Sequence, residues 1–494
     1  MPAAAVLAFR QEGLEAWGAI WGHEEAMGGR VLIAYHLRPD WAHSPGAERT
    51  LIEDESSKER HKGVMVELFP VRGWHPDPSV ADPDSLICPV YDTLSDADQN
   101  RYGSRRFNAA TFVPRPHGVP LERFLLASVG HLGEALRAGA YIQDPTPSFY
   151  VYGIRYRPPA DVAETIDPSQ RRPEYLLLGL VGALDLDRVA HGEVALHERT
   201  FSDRVEERIA LADATGMNFA PIMAGYTSAD HRLNNRIEAL LGIDRRRLAF
   251  ESIVPAIVSS RLDGTVHLLW RVDDPAVLRG IQEDLRGARL LILDGHHRFT
   301  AAAQRHHDGQ RTMPLVMLVE GGDRALQVLP WHRVLPGDVV APQGVAEAAR
   351  ASFPGNRNLG AAPSIEGAIG QLGDMRTHRR RGFLLITPES AFEVNGPSSD
   401  DVGADFDLLH SFLEEQLGVD PHELEFVRSP RQALERVAAT AEAPAGTALL
   451  LPAMTEKGIE ERAFERGTLM AHKSTMFLPK VAEGVLFAPV DGVG

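Results

Sequence analysis

Five consecutive residues, Asp294-Gly295-His296-His297-Arg298, place a carboxylate, a position without Cβ, two imidazoles and a guanidinium on one backbone turn. The apolar run Leu290 to Leu293 precedes them, and residues 299–306 follow with three alanines. That pattern predicts a buried strand, a turn and a helix. The first N–H groups of a helix have no intrahelical partner and carry partial positive charge, so the turn is a ready anion site. Gly295 lets a phosphate approach the backbone, and Arg298 in the first turn can clamp it in bidentate fashion. Asp294 can cap the helix, hold Mg²⁺ or accept a proton. The chemistry this points to is the handling of phosphate. Zinc is the weaker reading of His296 and His297, since adjacent side chains diverge and no further ligands stand nearby.

Two more clusters suit the same chemistry. His197-Glu198-Arg199-Thr200 follows the apolar approach Val194-Ala195-Leu196. A carboxylate between His and Arg at a strand end is a candidate proton acceptor, although a surface ion-pair cluster would read the same way. Arg204 and Arg208 lie one turn apart on the helix expected next, free to bind an anion or to pair with Asp203 and Glu207. Near the C-terminus, Lys473-Ser474-Thr475 and Lys480 offer ammonium and hydroxyl groups to phosphate oxygens. This is no P-loop, because no glycine-rich run precedes Lys473. Tyr91-Asp92, Asn218, Trp331-His332-Arg333 and His410 are lesser candidates, with Asp92 a possible substrate-binding carboxylate.

The elements that must position these groups are a mixture of helices and strands. Residues 121–139 predict an amphipathic helix with Leu125, Leu126, Val129, Leu132 and Leu136 on its apolar face. Residues 149–156, 176–184, 313–319 and 327–329 predict strands. Residues 203–215 predict a helix capped by Ser202 or Asp203, and 406–417 another. Residues 355–364 and 395–403 are loop-like in composition. Together these predict a mixed α/β enzyme. Its expected parts are a 1–65 extension ending in the charged run Glu53 to Lys62, a catalytic region 66–345, and a C-terminal α/β region 346–494 that brings Lys473 to the site.

The 494 residues are 44% apolar and 24% charged, enough for a large core. A net charge of −17 argues against nucleic acid as a partner, since that grip needs clustered Lys and Arg. One cysteine, Cys88, excludes an internal disulfide and a Cys-based zinc cluster. No apolar stretch of membrane-spanning length occurs, and Met1 to Gly29 has no secretory pattern, so a cytoplasmic protein without membrane contact is expected. Nothing in the residues sets an oligomeric state.

In this order the clusters resemble a large bacterial and archaeal family catalogued as a domain of unknown function. Its pattern runs Pro-Tyr-Asp, His-Glu-x-Thr, Asp-Gly-His-His-Arg, a His-Arg after Pro, and Lys-Ser-Thr-x-x-x-Pro-Lys. Here those are Val90-Tyr91-Asp92, His197 to Thr200, Asp294 to Arg298, His332-Arg333 and Lys473 to Lys480. Val90 stands where the family has a second proline, Thr300 where Glu is common, and Ala471-His472 where Pro-Gln is usual. Through Asp294 to Arg298 the family is similar to the ParB/sulfiredoxin-like superfamily, which includes free L-serine kinases. The resemblance implies an α/β fold with a ParB/sulfiredoxin-like phosphate-binding core and additional subdomains. It also implies transfer of phosphate from pyrophosphate, ADP or ATP to the hydroxyl of serine or a similar hydroxy amino acid, with Mg²⁺.

On that reading Gly295, His296, His297, Arg298, Lys473, Ser474, Thr475 and Lys480 hold phosphate, and Asp294 holds the metal. Glu198 is the base, with Asp92 second, while Tyr91, His197, Thr200, Asn218, His332 and Arg333 contact the substrate. The competing readings are a nucleotide-binding clamp without turnover and a metal-dependent phosphate hydrolase.

Overall fold

The computed structural model describes residues 66–166, 171–189, 192–227, 232–285, 288–438, 440 and 444–492. The predicted 1–65 extension lies outside them. The chain is mixed α/β, as expected.

Among the described residues the largest sheet has nine strands. In chain order they are β1 (Leu68–Phe69), β2 (Phe149–Tyr156), β3 (Tyr175–Leu184), β4 (Val194–Ala195), β5 (Ile222–Tyr226), β6 (Val258–Leu262), β7 (Thr265–Val272), β8 (Leu290–Asp294) and β9 (Leu315–Glu320). Across the sheet they run β6-β7-β2-β3-β9-β5-β8-β4, with β1 also on β3. The central strands are apolar at nearly every position because both faces are covered. Val151, Leu178, Leu180, Ile292 and Val316 join one core cluster. Their neighbours Tyr152, Leu177, Val181, Leu293 and Met317 join another on the opposite face. The period of two in side-chain direction thus splits one strand between two cores. Close packing needs Gly179, where a Cβ would come within 2.6 Å of Met317.

Two parallel neighbours set up the site. β4 and β8 pair in parallel, Leu290 opposite Val194 and Leu291 opposite Ala195, so both chains leave the sheet at the same end. Glu198 and Asp294 therefore emerge side by side, where parallel strands commonly deliver functional groups. On its other side β8 pairs with β5 antiparallel, and the register slips between Ile292 and Asp294. Such an irregularity re-aims the side chain at a strand end.

Further along come β10 (Gln327–Pro330), β11 (His332–Leu335), β12 (Arg357–Gly360), β13 (Gly382–Ile386), β14 (Ala391–Asn395), β15 (Glu425–Val427), β16 (Thr447–Leu450) and β17 (Thr475–Leu478). Six of these form a second sheet, ordered β12-β14-β13-β16-β11-β15. β17 instead returns to pair with β10. Beyond it, Ala482 and Glu483 pair with Pro89 and Cys88. Ala488 and Pro489 then pair with Asn218 and Met217.

Three helices matter here: α1 (Leu121–Arg137), α2 (Ser202–Thr215) and α3 (His296–His307). On α1 the buried residues are Phe124, Leu125, Ser128, Leu132 and Ala135. The predicted Leu126 and Val129 are instead 70% and 43% exposed. The apolar spacing admits two arcs offset by part of a turn, and the fold buries the Phe124 side. α2 starts after Phe201 with no side-chain cap, so neither Ser202 nor Asp203 has the expected role. α3 begins at His296, ahead of the predicted 299, because Gly295 takes the N-cap at φ 87°. The predicted loop 355–364 contains the exposed edge strand β12, whose backbone pairs with β14 despite its loop-like composition. The helix predicted over 406–417 is α-helical over Ala404–Ser411 and then widens into a π turn over Phe412–Gln416. Cys88 is buried packing.

Candidate active site

At the N-terminal end of α3 lies a narrow cleft, partly open to solvent. Its wall takes in Tyr91, Asp92, Glu198, Asp294, Gly295, His296, His297, Arg298, Lys473, Thr475 and Lys480. Trp331, Thr93 and Leu293 complete it. His197, Thr200, Asn218, His332, Arg333 and Ser474, also singled out from the sequence, are not part of that wall.

Gly295 is required twice over. Its φ of 87° lies in the left-handed region, and a Cβ there would sit 2.8 Å from the Arg298 guanidinium. That guanidinium folds back across the turn. Arg298 Nη1 donates to the carbonyls of Ala220 (3.0 Å) and Pro221 (3.1 Å), and Nη2 lies 3.5 Å from Asp294 Oδ2.

The lysines come from the far end of the chain. Lys473 Nζ donates to Asp92 Oδ2 at 3.0 Å. It also lies 5.7 Å from the Trp331 ring centre. Lys480 donates to Asp294 Oδ1. Burial pushes the Asp92 pKa up, but Lys473 and Lys480 outweigh it and hold the carboxyl well below its usual range. Burial likewise works against the Lys473 ammonium, and Asp92 more than reverses this. Lys473 is therefore charged, and each lysine stands opposite a carboxylate.

Glu198 binds the Lys473 segment. Its Oε2 accepts the backbone N–H of Ser474 at 3.0 Å and of Thr475 at 3.3 Å. Met470 N donates to His197 O, and Arg199 N to Met470 O, which lays the two segments side by side. Lys473 turns the chain at φ 53°, a left-handed conformation that costs a non-glycine residue about 1–2 kcal/mol.

Behind this contact runs a histidine chain. The Ile292 carbonyl can only accept, so His197 Nδ1 carries the proton it donates at 2.8 Å. Nε2 then accepts from the Thr475 hydroxyl at 2.7 Å. That commits the one hydroxyl proton and leaves Glu198, 3.4 Å from the same oxygen, to the backbone amides. His296 Nε2 lies 3.2 Å from His197 Nδ1, and His296 Nδ1 lies 3.5 Å from Glu198 Oε1. Burial lowers both rings to about 3, so they are neutral near pH 7. Burial, aided by Lys473, lowers His297 to about 4. Its Nε2 accepts from the Phe201 backbone N–H at 3.1 Å.

The remaining candidates support rather than line the cleft. Asn218 donates to the carbonyls of Met313 and Pro489. His332 Nδ1 accepts from Leu451 N at 3.2 Å. Arg333 is fully buried and donates to the carbonyls of Trp331 and His472, with His410 Nε2 3.0 Å away. Arg208 lies over the Tyr91 ring at 4.1 Å. Sequence reasoning missed Glu483, buried behind Tyr91 and 3.4 Å from its N–H. Burial raises its pKa. Its place three residues after Lys480 was the only signal.

The described residues thus form a mixed α/β chain with a polar cleft at a helix N-terminus. The sequence matches the family described as protein of unknown function DUF1015 over residues 68–398, and the chain belongs to that family. No curated protein matches it in sequence. Among solved structures it is similar to a free serine kinase mutant in complex with ADP, at 14% identity and TM-score 0.34, covering 62% of this chain and 92% of that one. It is also similar to a C-terminally truncated SbnI from Staphylococcus aureus, at 12% identity and TM-score 0.32, covering 60% and 82%. A conserved hypothetical protein from Pyrococcus furiosus gives 15% identity and TM-score 0.33, covering 61% and 93%. Likenesses this distant say nothing about chemistry. Among the described residues no helix is long and apolar enough to cross a membrane.

Proposed function

We propose that this chain is a cytoplasmic phosphotransferase that moves phosphate from pyrophosphate, ADP or ATP to the hydroxyl of free L-serine or a similar hydroxy amino acid. The observation that carries the reading is the meeting of Lys473 and Lys480 with Asp92 and Asp294 at the amide end of α3. Phosphoryl transfer needs charge neutralisation and alignment more than covalent chemistry. The His296, His297 and Arg298 amides and both ammonium groups supply that charge in one small polar cleft. The strand–Gly295–helix unit is read as a ParB/sulfiredoxin-like phosphate site, and the acceptor class rests on the motif resemblance.

Asp294 and Asp92 offer the hard oxygen ligands that Mg²⁺ prefers, with donor phosphates supplying others. The ion, when bound, would neutralise charge on the phosphates. With pyrophosphate as donor, the acceptor oxygen forms the new O–P bond as the bridging P–O bond breaks. The hydroxyl proton passes to Glu198 and ends on the leaving phosphate.

The test is a screen of pyrophosphate, ADP and ATP against hydroxy amino acids, followed by phosphorus NMR. A new phosphomonoester that needs both substrates and vanishes in Lys480→Ala is expected. Phosphate released equally without any acceptor would make the protein a hydrolase instead. Nucleotide binding without turnover would make it a clamp.

A further inference from the structure

The amides of Ser474 and Thr475 converge on one oxygen of Glu198, at 3.0 and 3.3 Å. Adjacent backbone N–H groups converging in this way bind anions generally, and a phosphate oxygen suits them as well as a carboxylate. The amides do not depend on Glu198 for their placement. Ser474 Oγ donates to Ala471 O at 2.8 Å, the Thr475 hydroxyl is tied to His197 at 2.7 Å, and β17 is paired with β10. Lys473, adjoining the seat, faces the cleft, and Glu198 and Thr475 both line it.

We infer that the Ser474–Thr475 amide pair is a seat for a terminal phosphate oxygen of the donor, and that Glu198 fills this seat until the donor displaces it. The inference rests on the phosphotransferase reading and deepens it. A carboxylate oxygen held by two N–H donors is not free to meet a substrate hydroxyl, and one that has left them is. Displacement therefore frees the proton acceptor only when there is a phosphate to transfer. Glu198 would be both an internal competitor for the donor and the base it releases.

Calorimetric titration of the full chain with pyrophosphate and Mg²⁺ tests this with Glu198→Ala and Glu198→Asp. Removing a charged hydrogen-bonding competitor should tighten pyrophosphate binding about tenfold or more. Glu198→Asp keeps the charge but loses one methylene of reach, so it should tighten binding as well. Tightening in Glu198→Ala alone would reduce the effect to bulk charge and overturn the inference. Weaker or unchanged binding in both would overturn it too.

A second readout needs no variant. In the wild-type protein, pyrophosphate should shift the Ser474 and Thr475 amide resonances together with the Glu198 carboxyl carbon. Signals that stay still while those of His297 and Arg298 move would refute the seat and leave the phosphotransferase reading standing. No pyrophosphate, ADP or ATP binding at all would overturn both.

Discussion

The two lysines and the two arginines of the family-like motifs do different work. Lys473 and Lys480 meet carboxylates at the edge of the cleft. Arg298 and Arg333 turn their guanidinium groups onto backbone carbonyls, those of Ala220 and Pro221 for one and of Trp331 and His472 for the other. A planar fork with fixed donors suits carbonyls that must be held in place, and Arg333 also lies 5.1 and 5.2 Å from the Phe406 and Phe426 rings. A compact ammonium on a flexible stem suits an anion that comes and goes. On the proposed function, the difference separates groups that build the site from groups that would act in it.

Substitutions can break or sharpen that division. Lys480→Ala should lower turnover with pyrophosphate and L-serine by about 10²–10³-fold, the usual cost of one lost anion-stabilising donor. Its urea midpoint should correspond to a stability within about 1 kcal/mol of wild type. A large loss of stability would place Lys480 among the builders. Arg333→Met should do the reverse, lowering unfolding free energy by about 3 kcal/mol as buried carbonyls lose their partners. Arg298→Ala belongs between them, with losses in both assays.

Gly295→Ala is a smaller perturbation of the same turn. Left-handed strain alone should lower stability by about 1–2 kcal/mol, and the crowded Arg298 guanidinium must move as well. Unchanged stability by urea denaturation would mean the turn is looser than described. Smaller still is Leu126→Gln on the exposed face of α1, which should stay within about 0.5 kcal/mol.

Acid should act through the buried histidines. His197 and His296 sit near 3 when folded, against about 6.5 in an unfolded chain. Between those values the unfolded state binds more protons, so stability rises with pH across that window and is lost as pH falls from about 6.5 towards 3. Urea midpoints measured from pH 4 to 7 should show this slope, and His296→Gln should flatten it. An equal slope in the variant would assign the acid sensitivity to other groups.

The unit from Leu290 to His307 was largely legible in the sequence. A continuous apolar run, a glycine and an alanine-rich stretch are local signals, and the hydrogen bonds of strand end and helix start are local too. The arc of α1 that faces the core was not, because apolar spacing alone fits two arcs and only the neighbour chooses. The edge strand β12 was hidden for a similar reason, since its pairing comes from β14 and its residues are exposed.

The sequence by itself determined the mixed α/β class, the strand–glycine–helix turn at Gly295 and the residue types available for chemistry. Tertiary structure alone decided which of them meet. Lys480 reaches Asp294 across 186 positions of sequence, and Ser474 reaches Glu198 across 276. Nothing in periodicity or propensity extends that far. Those meetings follow from the parallel pairing of β4 with β8 and the return of β17 to β10, which are set by which faces must be buried.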